Sequence, residues 1–360
     1  MAIWRSPYDK EIFALALPAL GSLAIDPLVS LVDTAFVGRL GAAPLGALGI
    51  NAAIFAMTFV VFNFLAYGTT PRVGEFIGRG QREEAGRVAA HALMIAAVCG
   101  AAALGAIQLL APWVLEVMGA TGELAEPALT YLRIRALAGP AVLLTMAAHG
   151  IFRGYQDTRT PLRVTMLVNL INVVLDPLLI FGLGWGIAGA AWATLAAQWT
   201  GAILFLMLLF SGKNDAIDIK LEIPTASDLE PFLRAGSSLL LRTGALVGTM
   251  GLATAVAARV GVAAAAGHQV ANELWGFMAL VVDALADLQS AAGVGVLFAV
   301  AVLAVFLRSA GATLIVTAAI PVSIFAALFL MRFADQSLNI VTLGGLALGA
   351  GMLVDNAIVV

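Results

Sequence analysis

Two aspartates stand seven residues apart in the apolar stretch "IDPLVSLVDTAFVG", residues 25–38. In a helix this spacing places Asp26 and Asp33 on one face, about 10.5 Å apart along the axis. A second apolar stretch carries Asn169, Asn172 and Asp176, which also share one helix face. Carboxylate, amide and hydroxyl oxygens together can bind Na⁺, and neighbouring carboxylates away from water can hold a proton. These residues therefore predict a site for Na⁺ or H⁺.

The surroundings of these residues are those of a membrane protein. Of the 360 residues 61% are hydrophobic and 11% charged, with a mean hydropathy of +1.00. Apolar stretches of about 20 residues recur, long enough to cross a bilayer, and backbone groups in lipid must bond internally. The sequence predicts an all-α polytopic membrane protein with about eleven helices, near residues 12–38, 46–70, 88–111, 128–151, 162–182, 186–210, 232–258, 262–286, 291–307, 311–332 and 336–360.

Depth in the membrane links the polar residues of three helices. Asp33 and Asp176 lie five to six residues before the predicted outer ends of outward-running helices, and Thr194 about eight residues into the inward-running one. All three fall about 10 Å below the outer boundary. A carboxylate at the membrane centre costs about 2.5 to 3.5 kcal/mol, so it needs a partner, water or a proton. The alternatives are that Asp33 is an interfacial residue wetted from outside, and that Asp176 with Pro177 only ends a helix.

For the other polar residues in apolar helices, the sequence gives a weaker indication of function. A cluster of four early in the eighth helix either lines a functional cavity or is structural; its members are His268, Gln269, Asn272 and Glu273. His91 and His149 are expected to pack or contact water rather than relay protons.

Enzyme signatures are absent from the sequence, which has no metalloprotease, nucleophile-elbow or phosphate-loop motif and a single cysteine, Cys99. We predict that the chain is not an enzyme, has no cofactor, and binds no metal beyond Na⁺. The net charge of -3 and the lack of a basic stripe give no indication of a nucleic-acid partner.

Basic residues concentrate in alternate connections, which predicts a cytoplasmic N-terminus. The expected location is the inner cell membrane. The longest polar connection, residues 211–231, is predicted to link two lobes. A shift of 220 residues aligns Thr34 with Thr254 and Arg39 with Arg259, as expected for repeated bundles of secondary transporters. The repeat stops near Ala286.

Three segments resemble the multidrug and toxic compound extrusion (MATE) family, particularly its DNA-damage-inducible branch. They are "DKEIFALALPALGSLAIDPLVSLVDTAFVGRLG", "FRGYQDTRTPLRVTMLVNLINVVLDPLLIFGLGWGIAGAAWATLAAQ" and "AAAAGHQVANELW". The resemblance implies two six-helix lobes and export of cationic amphipathic compounds against H⁺ or Na⁺. It assigns cation binding to Asp33, Asn172, Asp176 and Thr194, and a helix kink to Pro18.

The tail, "VLAVFLRSAGATLIVTAAIPVSIFAALFLMRFADQSLNIVTLGGLALGAGMLVDNAIVV", is similar to the second to fourth membrane helices of resistance-nodulation-division (RND) pumps. Asp355 matches their proton-carrying aspartate, but its partner helices do not follow in this sequence, so we expect it to be idle. The predicted domains are a MATE-like six-helix N-lobe at 1–210, the linker at 211–231, the first two helices of an incomplete second lobe at 232–286, and a three-helix RND-like segment at 287–360.

The leading hypothesis is a multidrug efflux antiporter, acting as a monomer in the lipid bilayer, that exports cationic amphipathic compounds in exchange for H⁺ or Na⁺. Two alternatives remain open. One is a non-transporting fusion or misjoined fragment, and the other is a lipid or oligosaccharide flippase of related architecture.

Overall fold

The computed structural model describes residues 25–211, Ile219 and residues 226–279, with side chains from 243 onward in the second long range. All regular structure in these ranges is helical. The α-helices are α1 (25–38), α2 (Ala42–Phe59), α3 (Phe64–Gly78), α4 (Arg82–Val117), α5 (Ala125–Ala136), α6 (Gly139–Gly154), α7 (Arg159–Pro177), α8 (Gly186–Phe210), α9 (Ala226–Val260) and α10 (262–279). The predicted all-α class is confirmed.

Five helical segments of the described residues are long and apolar enough to span a membrane, or six if one bent pair counts as a span. They are Ala42–Gly78, Arg82–Val117, Arg159–Gly182, Gly186–Phe210 and Thr243–Val260. The first contains α2 and α3, which are joined by one 3₁₀ turn at Val60–Asn63. The chain is a multi-pass membrane protein.

The fourth predicted helix, 128–151, is not one straight helix. The structure has α5 and α6 instead, bent by 51°. Pro140 lies in the first turn of α6, where its missing N–H costs nothing. If α5 continued straight through this position, the proline ring would clash with the carbonyl of Ala136, four residues earlier. The bend also lets α4 come close, because a Cβ at Gly100 would lie 2.5 Å from the Pro140 Cα.

Small residues dominate the core. One buried cluster joins α3, α4 and α6 with α8 through residues such as Leu65, Ala89, Leu143 and Phe205. A second joins α2, α4 and α5 to Ala255, Ala258 and Ala265 of α9 and α10. Alanine and glycine at such contacts allow helix backbones to approach closely in a membrane.

The chain divides into two compact units, Met1–Trp275 and Gly276–Val360. All the helices that carry the predicted cation-binding residues belong to the first unit. Pro18, Asp355, the linker for the most part, and the RND-like segment at 287–360 lie outside the described residues.

Candidate cation site and adjoining cavity

Four of the predicted residues come together from three helices, and we call Asp33, Asn172, Asp176 and Thr194 the candidate cation site. Asn172 and Asp176 lie one turn apart on α7 and are 4% and 1% exposed. Asp33 of α1 and Thr194 of α8 are half-buried beside them. The periodicity of α7 explains the pairing of its two residues, because positions i and i+4 lie on the same face of a helix.

Asn172 connects the other helices. With its amino group turned toward α1, it donates to both carboxyl oxygens of Asp33 at 3.1 Å. Its other amide atom then lies 3.4 Å from the Thr194 Oγ1. Thr194 in turn donates to the Ala190 carbonyl at 2.9 Å, a bond within α8 that fixes its hydroxyl. We assign this orientation to the Asn172 amide because it turns the side-chain nitrogen toward hydrogen-bond acceptors.

Asp176 is the least satisfied group of the site. Both of its carboxyl oxygens are buried, and no donor among the described residues reaches them. The carboxyl of Asp33 lies within hydrogen-bonding reach, but two ionised carboxylates cannot bond to each other. A proton shared by the pair, or a cation between them, would remove this deficit.

The donor set favours a small hard cation or a proton. Two carboxylates, an amide oxygen and a hydroxyl are oxygen ligands of the kind that alkali and alkaline-earth cations take. The described residues contain no cluster of three or more His, Cys, Asp or Glu side chains of the kind a transition metal needs. These side chains can therefore hold Na⁺ or H⁺ between them.

Tyr131 is a member of the site's surroundings that sequence reasoning missed. It lies on α5, is 7% exposed, and its hydroxyl is within hydrogen-bonding reach of Thr194. It also interacts electrostatically with both aspartates. Its place one turn before Arg135 in an apolar helix was the available indication, since both residues then share a helix face.

A cavity of about 540 Å³ adjoins the site and lies among α1, α3, α6, α7 and α8. Asp33, Asn172 and Thr194 line it. Farther along the same cavity, Asn169 donates to Asp26 at 2.8 Å, so the two predicted polar faces meet there as well. In this cavity α1 and α7 each present the polar face that their sequence spacing predicts.

Histidine and arginine also line this cavity, on α6. His149 packs edge-on against Phe205, with 5.1 Å between the ring centres, and Arg153 follows one turn later. The cavity wall thus carries carboxylates from α1 and a guanidinium from α6, separated by amides, hydroxyls and apolar side chains.

The polar cluster of the eighth predicted helix lies elsewhere. Its members His268, Gln269 and Glu273 are not among the residues that line the cavity. Gln269 donates to Glu273 at 3.0 Å and to Thr34 at 3.4 Å. The His268 Nε2 lies 3.1 Å from the Thr254 hydroxyl. The two threonines paired by the sequence repeat therefore both contact α10.

Comparison with known proteins gives two family matches in one chain. Residues 18–178 match the MatE family. Residues 277–360 match the AcrB/AcrD/AcrF family. The second compact unit begins at Gly276, and the second family match begins one residue later, at residue 277.

Curated relatives resemble about three quarters of the chain. Protein DETOXIFICATION 44, chloroplastic, of Arabidopsis thaliana is 36% identical over 288 residues, which cover 77% of this chain and 54% of the relative. DNA damage-inducible protein F of Escherichia coli (strain K12) is 29% identical over 290 residues, covering 77% and 61%. The chain spans about half the length of the first of these relatives.

A solved structure described as the inward-facing conformation of a multidrug resistance MATE family transporter of the MOP superfamily has the same fold. It has a TM-score of 0.62 and 24% identity, and covers 92% of this chain and 79% of its own. The matched family consists of transporters, in agreement with the prediction that the chain is not an enzyme.

Proposed function

We propose that this multi-pass membrane protein, which has the MATE fold and matches the MatE family over residues 18–178, is a cation-coupled multidrug efflux antiporter. It would export cationic amphipathic compounds in exchange for H⁺ or Na⁺. The protein would lie in the inner cell membrane with its N-terminus in the cytoplasm. The observation that carries the proposal is the buried Asp176 carboxyl, without a donor, beside the carboxyl of Asp33.

In this mechanism the two aspartates are the cation carriers. A bound Na⁺ or H⁺ removes their mutual repulsion, and release restores it, so the two occupancy states favour different positions of α1 relative to α7. Asn172 and Thr194 supply supporting oxygens and orient the pair. The kink at Pro18, which lies outside the described residues, would allow α1 to change shape.

The cavity next to the site gives the exported compound a place to bind. The carboxylates of Asp26 and Asp33 on its wall attract a positively charged group, and Val164, Val168 and Met146 offer apolar contact. Cation and substrate would share the Asp33 carboxylate, so binding of one would weaken binding of the other. Such competition at one site is a direct way to couple an antiporter.

A non-transporting fusion is the second candidate, and one observation favours it. The chain covers 54% of its relative's length, and its last residues match a different family. In this candidate function, the segment from residue 277 onward would stand where a MATE transporter has further helices of its second lobe.

Reconstitution of the full chain in liposomes tests the proposal. Efflux of a fluorescent organic cation should follow an imposed H⁺ or Na⁺ gradient and be lost in Asp33→Asn. Glu84→Gln is the matched control, because Glu84 forms an exposed ion pair with Arg87 at 2.6 Å, away from the site. Gradient-driven efflux that survives in Asp33→Asn would refute the cation site, and no efflux in the unmodified chain would favour the fusion.

A further inference from the structure

Arg135 is a half-buried cation that the proposed mechanism does not use. It lies on α5, one turn after Tyr131, with its guanidinium carbon 5.1 Å from the centre of the Phe55 ring on α2. Its Nη1 is buried and has no hydrogen-bond acceptor within the described ranges. Contact with an aromatic face offsets only part of the cost of removing a guanidinium from water.

An anionic partner lies nearby. Arg135 interacts electrostatically with Asp33 of α1 and with Tyr131 of its own helix. Asp176 of α7 and Glu273 of α10 act on Asp33 as well, so this region contains three acidic side chains and one guanidinium. Among the described residues, both carboxyl oxygens of Asp176 lack a donor and the Nη1 of Arg135 lacks an acceptor.

These two deficits are complementary, and from them we propose that Arg135 is a positioning residue that takes the place of the coupling cation. When the aspartate pair is empty, the guanidinium neutralises it. When Na⁺ or H⁺ occupies the pair, the guanidinium remains over Phe55. The inference rests on the proposed function, since it assigns Arg135 a role at the same cation site.

A tethered cation of this kind would limit how tightly the site holds its free cation. The guanidinium is always charged and five N–H donors can reach a carboxylate from several directions. Its effective concentration at the site is high because it is part of the protein. It therefore competes with Na⁺ or H⁺ whatever the concentration of these ions in solution. Weaker binding makes release possible, and an antiporter must release its cation in every cycle.

Equilibrium binding to the purified full chain in nanodiscs tests the inference. Sodium binding is measured with radioactive Na⁺ at a fixed pH, and proton binding by dye-detected uptake after a pH step. Arg135→Gln is expected to lower the cation concentration at half-saturation about tenfold, because one positive charge near the pair is lost. Arg135→Lys, which keeps the charge, is expected to remain near the unmodified value.

Arg133→Gln is the matched control, since this exposed arginine lies two residues earlier on α5. Thermal unfolding is measured for every variant. Equal half-saturation in Arg135→Gln and the unmodified chain would overturn the role of Arg135, provided that Asp33→Asn abolishes binding. Binding that persists in Asp33→Asn, or no binding in the unmodified chain, would instead overturn the cation site and this inference with it.

Discussion

The side-chain amide of Asn172 lies 3.1 Å from both carboxyl oxygens of Asp33 and so links α7 to α1. The two residues are far apart in sequence. The Asn172 side of the contact is shielded from solvent, because Asn172 is 4% exposed. A hydrogen bond to an ionised group contributes more to stability than a neutral one. The link therefore joins the helix proposed to move to the helix that carries the second aspartate.

Replacing Asn172 by alanine is expected to lower the free energy of unfolding by about 1.5 to 3 kcal/mol, because Asp33 loses donors to a charged group. The measurement is an unfolding titration of the purified protein in a mixed detergent. Asn169→Ala is the control, since its partner Asp26 is exposed and water can replace the lost bond. Equal destabilisation by the two variants would contradict the contact between Asn172 and Asp33.

Asp176→Asn is expected to abolish transport without lowering the stability of the protein. The amide can donate to Asp33, and it removes a buried carboxyl whose two oxygens have no donor in the described part of the chain. We expect the melting temperature to rise or stay unchanged while gradient-driven efflux is lost, the pattern of a functional group kept at a cost in stability. A variant that melts earlier would show that the carboxylate has a stabilising partner in the protein.

Tyr131→Phe removes one hydroxyl from the surroundings of the site and little else. The loss of its hydroxyl's interaction with Thr194 is expected to weaken cation binding about fivefold, the equivalent of about 1 kcal/mol. Radioactive Na⁺ binding or proton uptake by the full chain measures the effect. Tyr67→Phe serves as the control, because Tyr67 on α3 is 60% exposed. Unchanged binding in Tyr131→Phe would limit the role of Tyr131 to packing.

Spacing along the helices predicted that Asn172 and Asp176 share a face and that Asp33, Asp176 and Thr194 lie at one depth. The choice of these four residues as one site came from the family resemblance, because spacing does not show which helices are neighbours. The bend before Gly139 was not predicted. The apolar pattern continues through it, and a hydrophobic run does not show where the axis of a helix changes direction. Contacts between distant helices were not predicted either. Gln269 was recognised as polar, but its bond to Thr34 bridges 235 residues and no local pattern specifies it.

The packing of α2 against α10 supplies the last prediction. A Cβ placed at Gly46 would lie 2.9 Å from the Cβ of Ala265, and one at Gly49 would lie 2.9 Å from that of Gln269. Topology predicts that this end of the bundle faces the outside. Alternating access requires such a contact to separate when the outer side opens, and to close when the cytoplasmic side opens. The helices should therefore be linked here in one transport state and apart in the other.

Cysteines at Gly46 and Ala265 should trap that contact. The pair Gly46→Cys and Ala265→Cys, in a Cys99→Ala background, must separate from 2.9 Å by at least about 0.6 Å to reach the Cβ spacing of a disulfide, about 3.5 to 4.5 Å. We expect rapid cross-linking with mild oxidant, detected as a mobility shift after cleavage in the 211–225 connection, and loss of efflux that reducing agent restores. Gly105→Cys with Ala265→Cys is the control, because a Cβ at Gly105 meets no described atom within 4 Å. Full efflux by the cross-linked protein would mean that α2 and α10 stay together throughout the cycle, and that the lobes open along another seam.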